Sequence, residues 1–341
     1  MTRIGVLGAG TWGMALARML CNSGNQVTVW SALEREIDEF SATRRHPNLP
    51  GMEIPEALLF TKDMEEVCRD KEILLFAVPS PFVRATARKA VPYVKDGQII
   101  VDVAKGIEES TLMTMTQIIE DEIKNPKVTL VALSGPTHAE EVARDLPTTI
   151  VSACEDQNVA ELVQNVFWGT CMRVYTNDDV LGVELCGAVK NVIALAAGIA
   201  TGLGYGDNAK AALITRGMAE ISRLGIAMDC KSETFGGLAG IGDLIVTATS
   251  VHSRNNRCGT LIGSGVPVEE AIKQTGMVVE GINALPAVMA LKEKYAVEMP
   301  IVEAAWQIVR EGVAPKDVVQ QLMGRGRKPE LPQSAWDNRY E

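Results

Sequence analysis

Short apolar runs alternate with segments of helical spacing over the first half of the chain. The runs of strand length lie at residues 4–7, 27–30, 73–78, 99–103, 128–133, 148–151 and 172–175. Several are almost continuously apolar, which is typical of strands that helices cover on both faces. This alternation predicts an α/β fold with a doubly wound, mostly parallel Rossmann-type sheet over residues 1–187. A ligand is expected beyond the carboxyl ends of its strands.

The pattern changes after about residue 187, where no further strand is predicted. Helical spacing recurs at residues 188–202, 207–225, 238–249, 255–263, 268–275, 280–294, 300–311 and 315–323. These segments predict an all-α second domain over residues 188–328. Residues 329–341 are polar and interrupted by proline, so we expect a loosely ordered tail.

Composition narrows the class of protein. The chain has 341 residues, of which 47% are hydrophobic and 22% are charged, as expected for a globular protein of two domains. The formal net charge of −10 argues against nucleic acid or an anionic membrane as a partner, since both require a basic face. Seven cysteines without a C-x-x-C pair favour a reducing cytoplasm. The three histidines are too scattered to suggest a metal site, and the longest apolar stretch is interpreted as a buried helix rather than a membrane span.

Residues 8–13 read Gly-Ala-Gly-Thr-Trp-Gly between a predicted strand and a predicted helix. In this context Gly8 permits a tight turn, Gly10 lets backbone N–H groups approach a pyrophosphate, and Gly13 lets the helix pack closely on the sheet. A glycine-rich turn that binds nothing is the alternative, and the strand–turn–helix order argues against it. The motif therefore indicates NAD or NADP as the cofactor.

The end of the second predicted strand bears on the choice between these two cofactors. An Asp or Glu there normally accepts hydrogen bonds from the ribose hydroxyls of NAD. Residues 30–32 are instead Trp, Ser and Ala. Without that carboxylate NADP is permitted, and Arg35 or Arg44 could bind its extra phosphate, although Glu34 weakens this argument. We therefore expect activity with NADPH at least equal to that with NADH, and some use of NAD.

Polar residues at helical spacing open the second predicted domain. Gly187, Lys190, Asn191, Ala194 and Gly198 share one face of a helix, and this face is small and polar. A surface stripe with an exposed lysine is one interpretation. A cleft that holds a small ligand is the other, and it better explains the run of small residues.

Two further segments carry candidate ligand groups. Asp243, Thr247 and Arg254 recur at helical spacing, and residues 253–256, Ser-Arg-Asn-Asn, offer a cation, amides and N–H groups at a helix start. This is the outline of a phosphate site, with a polar capped loop as an equal alternative. Lys105 follows a predicted strand at the edge that is expected to bind ligand. A surface ion pair is the open alternative there.

Together, these motifs resemble those of the bacterial NAD(P)-dependent sn-glycerol-3-phosphate dehydrogenases. The motifs occur in order over about residues 3–328 and read GAGTWG, AKGIE, LSGPTHAEEVA, VELCGAVKNVIALAAGIATGLGYGDNAKAALITRG, GLAGIGDL, SRNNRCG and VVEG. The resemblance implies reversible hydride transfer between NAD(P)H and dihydroxyacetone phosphate, giving glycerol 3-phosphate for phospholipid synthesis. It also implies a cytoplasmic enzyme and a homodimer.

The resemblance further implies residue roles. The proton donor and acceptor is Lys190, and the residues around the reacting end are Lys105, Asn191, Asp243 and Thr247. The other substrate contacts are Gly135, Thr137 and, at the phosphate, Ser253, Arg254 and Asn255. The cofactor contacts are Gly8, Gly10, Thr11, Trp12, Gly13, Lys105, Ala139, Arg254, Val278 and Glu280. Relatives often carry a basic residue where this chain has Ala32, so the choice between NADP and NAD stays open.

The expected chemistry explains a lysine as the proton donor. An alkoxide that develops on a ketone oxygen needs an acid, and a lysine with its ordinary pKa of about 10.4 is a slow one near neutrality. Partial burial and the second cation Lys105 are expected to lower the pKa of Lys190. Asp243 is expected to oppose that shift and to orient the ammonium group. His138 is expected to be a loop residue rather than a catalyst.

Two other functions are compatible with the fold. A 3-hydroxyacyl-CoA or 3-hydroxy acid dehydrogenase would share the glycine turn and the helical domain, but the SRNN and AKGIE motifs do not belong to those families. A non-catalytic NAD(P)-sensing regulator would need the turn without Lys190 beside Asn191 or the polar face at Asp243.

Overall fold

The structure is a computed structural model that describes residues 1–327 and 329–330. Most of the predicted tail, residues 331–341, lies outside the described residues, as does residue 328.

Eight strands in the described part of the chain form one sheet. They are β1 (Arg3–Leu7), β2 (Gln26–Trp30), β3 (Leu59–Thr61), β4 (Ile73–Phe76), β5 (Ile99–Asp102), β6 (Thr129–Ser134), β7 (Thr148–Ala153) and β8 (Met172–Asn177). Their order is β3-β2-β1-β4-β5-β6-β7-β8, and every neighbouring pair is parallel except β6 and β7. The prediction of a mostly parallel, doubly wound sheet is confirmed. Strand β3 was not predicted, because the apolar run at residues 57–60 is short and only its last two residues belong to this three-residue edge strand.

The α-helices flank the sheet and then continue alone. They are α1 (Thr11–Asn22), α2 (Glu34–Thr43), α3 (Met64–Cys68), α4 (Val83–Ala90), α5 (Met115–Ile123), α6 (Ala139–Val142), α7 (Gln157–Val166), α8 (Val180–Gly202), α9 (Asp207–Ala227), α10 (Ser232–Phe235), α11 (Asp243–Thr249), α12 (Arg254–Gly263), α13 (Val268–Thr275), α14 (Glu280–Lys294), α15 (Pro300–Val309) and α16 (Pro315–Met323). A 3₁₀ turn spans Ser80–Phe82, and a π turn spans Leu238–Gly242. We call residues 1–177 the sheet part and residues 180–323 the helical part. As predicted, the described residues after 177 contain no strand.

The central helix α8 begins earlier than the sequence suggested. Its start was predicted at residue 188, but the Asp179 carboxylate accepts the Gly182 N–H at 2.9 Å and caps the helix there. The polar residues 176–179, Thr-Asn-Asp-Asp, directly precede the helix, so Asp179 is the sequence signal that marks its true start. The predicted domain boundary at residues 187 and 188 falls within this helix and stays a prediction.

Helix α8 is a core helix. By length and hydropathy it could cross a membrane, but 83% of its most apolar 18-residue window is buried inside the protein. The segments Ser232–Thr249 and Arg254–Gly263 meet the same test only as a pair bent by 49°. The burial of α8 agrees with its interpretation as a buried helix.

Glycines bring the backbones of α8 and α12 into direct contact. At each of them an added Cβ would lie 2.1–2.2 Å from a backbone carbonyl oxygen of the facing helix. These glycines are Gly198 and Gly202 on α8 and Gly259 and Gly263 on α12. The interpretation of Gly198 as part of a ligand cleft is therefore wrong, because the backbone of α12 fills that space. The contact brings the start of α12 next to the middle of α8.

The glycine contact predicts a clear packing penalty. Gly259→Ala would place its Cβ 2.1 Å from the Leu195 carbonyl oxygen. Alanine is favoured over glycine inside a helix by about 1 kcal/mol, so a loss of stability reports packing alone. We expect Gly259→Ala to lower the free energy of unfolding by about 1–3 kcal/mol, measured by urea denaturation. Gly326→Ala is the control, since this residue lies outside the helices and an added Cβ there meets no atom within 4 Å. Equal midpoints for the two variants would contradict the contact.

Candidate active site

A buried carboxylate joins the two parts of the molecule. Asp243, at the start of α11, is fully buried. Its Oδ1 accepts a hydrogen bond from Lys190 Nζ on α8 at 2.5 Å, and its Oδ2 accepts one from Lys105 Nζ at 2.7 Å. Lys105 follows β5 at the carboxyl edge of the sheet. Lys190 Nζ also donates to Thr247 Oγ1 at 2.6 Å, and that hydroxyl donates to the Asp243 carbonyl at 2.7 Å.

The loop after β6 completes the surroundings of Lys105. The Gly135 carbonyl accepts from Lys105 Nζ at 3.1 Å and from Thr137 Oγ1 at 3.2 Å. At Gly187 an added Cβ would lie 3.3 Å from the Lys105 side chain. Glycine at this position therefore lets the lysine stem pass over α8. Sequence-predicted residues from four separate segments meet in this cluster.

Burial sets the charge state of Lys190. Its desolvation lowers the pKa to about 7, the nearby Asp243 carboxylate opposes this, and the Lys105 ammonium adds to it. The direction of the shift expected from the sequence is confirmed, with burial as the largest cause. A lysine with a pKa near 7 is suited to give and take a proton at neutral pH.

Asn191 and Asn255 are held by each other. Asn255 Nδ2 donates to Asn191 Oδ1 at 2.9 Å, and Asn255 Oδ1 accepts the Gly281 N–H at 2.8 Å. Asn191 Nδ2 donates to the Gly187 carbonyl at 3.1 Å. The Asn255 side chain, predicted to contact a phosphate, therefore cross-links α8, α12 and the start of α14. Its backbone N–H in the first turn of α12 remains available to an anion.

Arg254 is a cation at the same helix start. Its side chain is half-buried and lies near the Glu280 carboxylate, but its guanidinium makes no hydrogen bond or close ion pair with the described residues. Ser253 is the N-cap residue, and its hydroxyl accepts the Asn256 N–H at 3.2 Å. The first turn of α12 contains no acidic residue. A free guanidinium beside unpaired N–H groups is suited to bind a phosphate.

The glycine turn has the geometry of a dinucleotide site. Gly8 has φ +123°, and an added Cβ would lie 2.8 Å from the Ala77 backbone. At Gly13 it would lie 2.2 Å from the Gly8 carbonyl oxygen, whereas at Gly10 it would meet no atom within 4 Å. Helix α1 begins just after this open space without a side-chain cap, and Thr11 and Trp12 form its first turn. The residues present therefore fit a pyrophosphate bound by backbone N–H groups.

The remaining predicted cofactor residues lie at two helix starts. Ala139 begins α6, which packs against α1, and Val278 and Glu280 lie at the start of α14. The Glu280 carboxylate accepts Ser80 Oγ at 2.6 Å and the Ser80 N–H at 3.2 Å. Sequence analysis missed Ser80, although it follows the run at residues 73–78 and so lies at the same sheet edge.

Three buried polar groups lie beside the cluster. His138 occupies the N-cap position of α6 without a side-chain cap hydrogen bond, and its buried Nε2 has no partner among the described residues. Burial lowers the pKa of His138, and the nearby Lys190 adds to this. Burial raises the pKa of both Asp102, at the end of β5, and Glu184, which accepts hydrogen bonds from Thr114 and Thr116. The apolar run at residues 99–103 indicates the burial of Asp102, whereas that of His138 has no such signal in the sequence.

Two open depressions on the protein surface do not coincide with the site. Open depressions of about 660 and 380 Å³ lie at the opposite edge of the sheet and beside β7 and β8. Neither is lined by the lysine cluster, by Arg254 or by the glycine turn. The chemistry of the converging side chains identifies the site instead.

Comparison with known proteins agrees with this chemistry. The family model described as NAD-dependent glycerol-3-phosphate dehydrogenase N-terminus matches residues 3–160, and the model for the C-terminus of the same family matches residues 179–320. The chain belongs to this family. It is thus an oxidoreductase that uses NAD or NADP, and the two other functions considered from the sequence are not favoured.

Individual relatives are similar over nearly their full length. A protein of Lactobacillus delbrueckii subsp. bulgaricus named glycerol-3-phosphate dehydrogenase [NAD(P)+] 2 is 64% identical, over 97% of this chain and 99% of its own. One of Agathobacter rectalis named glycerol-3-phosphate dehydrogenase [NAD(P)+] is 53% identical, over 98% and 100%. The crystal structure of a glycerol-3-phosphate dehydrogenase from Coxiella burnetii matches with a TM-score of 0.91 at 37% identity, over 95% of this chain and 99% of the other.

The lysine cluster predicts that loss of the Asp243 carboxylate lowers the free energy of unfolding, by an amount that depends on pH. Asp243→Asn leaves two ammonium groups without a counter-charge, so we expect the free energy of unfolding at pH 6 to fall by about 3–5 kcal/mol. The loss should be smaller at pH 9, because Lys190, with a pKa of about 7, is then neutral. Urea denaturation at both pH values measures this. Asp178→Asn, in an exposed pair with Lys231, is the control and should cost about 0.2–1 kcal/mol. An equal loss at both pH values would contradict the assigned titration.

Proposed function

We propose that this chain catalyses the reversible reduction of dihydroxyacetone phosphate to glycerol 3-phosphate, with NADH or NADPH as the hydride source. Family membership supports the reaction class. The observation that carries the substrate assignment is a buried Lys190–Asp243–Lys105 cluster linked by α8 and α12 to a free Arg254. At one end Lys190 can transfer a proton, and at the other Arg254 can bind an anion. A phosphorylated ketone requires both.

With its pyrophosphate bound at the glycine turn, the cofactor would supply the hydride from its nicotinamide, and no metal is needed. Lys190 gives its Nζ proton to the ketone oxygen as negative charge develops there. Asp243 and Thr247 fix the direction of the Lys190 ammonium. Lys105 adds a second positive charge beside the developing alkoxide. In the reverse reaction neutral Lys190 takes the proton back.

The phosphate end fixes the orientation of the substrate. Arg254 has a planar guanidinium that can bind two phosphate oxygens at once. The N–H groups in the first turn of α12 add donors at the positive end of the helix. Asn255 and Asn191 hold α12 against α8, so the distance between the phosphate site and Lys190 is set by rigid elements.

The proposal includes the biological setting implied by the resemblance. The product would enter phospholipid synthesis, the enzyme would work in the cytoplasm, and two copies would form a homodimer. An acidic chain with seven cysteines, none of them in a disulfide, is compatible with the cytoplasm.

Lys190→Met tests the proton donor. The change keeps much of the packing of the side-chain stem but removes the proton, so we expect kcat to fall by about 10² to 10⁴ with cofactor affinity nearly unchanged. In the unchanged chain, reduction should slow as the pH rises through about 7, the pKa of Lys190. The variant should lose this dependence. Initial rates of NAD(P)H oxidation from pH 5.5 to 9 measure both effects, with the surface change Lys231→Met as the control. A variant that keeps more than about a tenth of kcat would refute this role.

Arg254→Lys tests the phosphate site. Lysine keeps the charge but loses the bidentate fork, so kcat/KM for dihydroxyacetone phosphate should fall by about 10- to 150-fold. Dihydroxyacetone, which lacks the phosphate, should be a very poor substrate of the unchanged chain and should lose little further activity in the variant. Cofactor affinity is measured separately, because Arg254 lies near Glu280. Equal losses on both ketones would assign Arg254 to the cofactor or the fold.

A further inference from the structure

The adenosine end of the cofactor site lies where β2 meets the glycine turn. The Gly8 N–H donates to the carbonyl oxygen of Trp30, the last residue of β2, at 2.8 Å. In this fold the adenosine ribose of a bound dinucleotide lies at this junction. A group placed there meets either the two ribose hydroxyls of NAD or the 2′-phosphate of NADP.

In the folded chain a carboxylate reaches this position, although residues 30–32 contain none. Ser31, directly after β2, is buried, and its hydroxyl donates to Glu36 Oε2 at 2.6 Å. The same hydroxyl accepts the Leu33 N–H at 3.1 Å, which fixes its orientation. Glu36 lies in the first turn of α2 and is half-buried. Its Oε1 has no hydrogen-bond partner recorded in the described part of the chain and is free to accept from a ligand.

A buried histidine lies near both Glu36 and the glycine turn. His46 is 6% exposed, and its Nδ1 accepts the Asn48 N–H at 3.2 Å. Burial lowers the pKa of His46, whereas the nearby backbone of Ala9 and the Glu36 and Glu39 carboxylates raise it. The hydrogen bond from Ser31 and the proximity to His46 therefore place Glu36 beside the end of β2 and near the glycine turn.

Two neighbouring cations, Arg44 and Lys62, are engaged elsewhere. Arg44 donates to the carbonyl oxygens of Pro55 and Leu58 and stacks over a phenylalanine ring. These contacts occupy Nη1 of Arg44 and disfavour its suggested binding of a 2′-phosphate, which stays a prediction. Lys62 Nζ lies 2.8 Å from a carboxylate oxygen of Asp38 and 3.6 Å from one of Glu34. Exposed Arg35 is the basic residue within α2, beside four carboxylates at residues 34–39.

This local charge distinguishes the two cofactors. A 2′-phosphate adds about 1.5 to 2 negative charges near neutrality, and here it would meet an acidic helix start. A ribose with free hydroxyls instead offers donors to a carboxylate. We propose that Glu36, held by Ser31, makes this chain select NAD over NADP by accepting hydrogen bonds from the adenosine ribose. The inference rests on the proposed function only through the dinucleotide cofactor, and it reverses the preference expected from residues 30–32.

Binding of cofactor alone tests the inference without catalysis. Dissociation constants of NADH and NADPH are measured by titration calorimetry at fixed ionic strength, and those of ADP-ribose and 2′-phospho-ADP-ribose isolate the adenosine end. We expect the unchanged chain to bind NADH at least about tenfold more tightly than NADPH, as for loss of a charge-assisted hydrogen bond. Glu36→Gln should bring this ratio to within about threefold.

Glu34→Gln is the matched control. It removes the same charge from the same helical turn without touching Ser31, so its ratio should stay within about twofold of that of the unchanged chain. The proposal is overturned if the unchanged chain binds NADPH as tightly as NADH, or if Glu36→Gln and Glu34→Gln change the ratio equally. If the binding ratio holds but dihydroxyacetone phosphate is not reduced, the proposed function fails and the assignment of Glu36 stands.

Discussion

The carboxylate of Asp243 is the point on which the site depends. It is fully buried and accepts hydrogen bonds from two lysines, one that follows a sheet strand and one in the middle of the central helix. A buried carboxylate is costly unless it is paired, and a buried ammonium group is equally costly. The three charges therefore hold the sheet part and the helical part in one relative position. When Lys190 is protonated, two cations against one anion leave an excess positive charge, and we propose that a substrate oxygen becomes negative there.

Packing then decides where the second end of the site lies. The glycines of α8 and α12 allow backbone-to-backbone contact, and the amide pair of Asn191 and Asn255 cross-links the same helices. Two rigid helices in contact cannot slide without breaking these contacts. The distance between the lysine cluster and Arg254 is thus a property of the fold, which suits a substrate too small to bridge a flexible gap.

The cofactor edge follows from sheet topology. The carboxyl ends of β1, β2, β4 and β5 lie together because these strands are parallel neighbours. The glycine turn, Ser31, Ser80 and Lys105 come from these four ends. Helix α14, in the helical part, contributes Glu280, whose carboxylate accepts a hydrogen bond from Ser80 Oγ. A dinucleotide along this edge would contact both parts of the molecule.

The sequence by itself determined the sheet class, seven of the eight strands, the helical second half, the glycine turn and the residue types at the site. These depend on local periodicity and on short motifs, which one chain displays directly. It did not show β3, whose three residues are too few to predict a strand, or the true start of α8, although Asp179 is a residue type that favours a helix start. Only the tertiary structure decided that Gly198 meets a helix instead of a ligand, that the Asn255 side chain is already engaged, and that Glu36 returns to Ser31. Each of these depends on which groups meet in space and on how far they are removed from water. The order of the residues alone shows neither the contacts nor the burial.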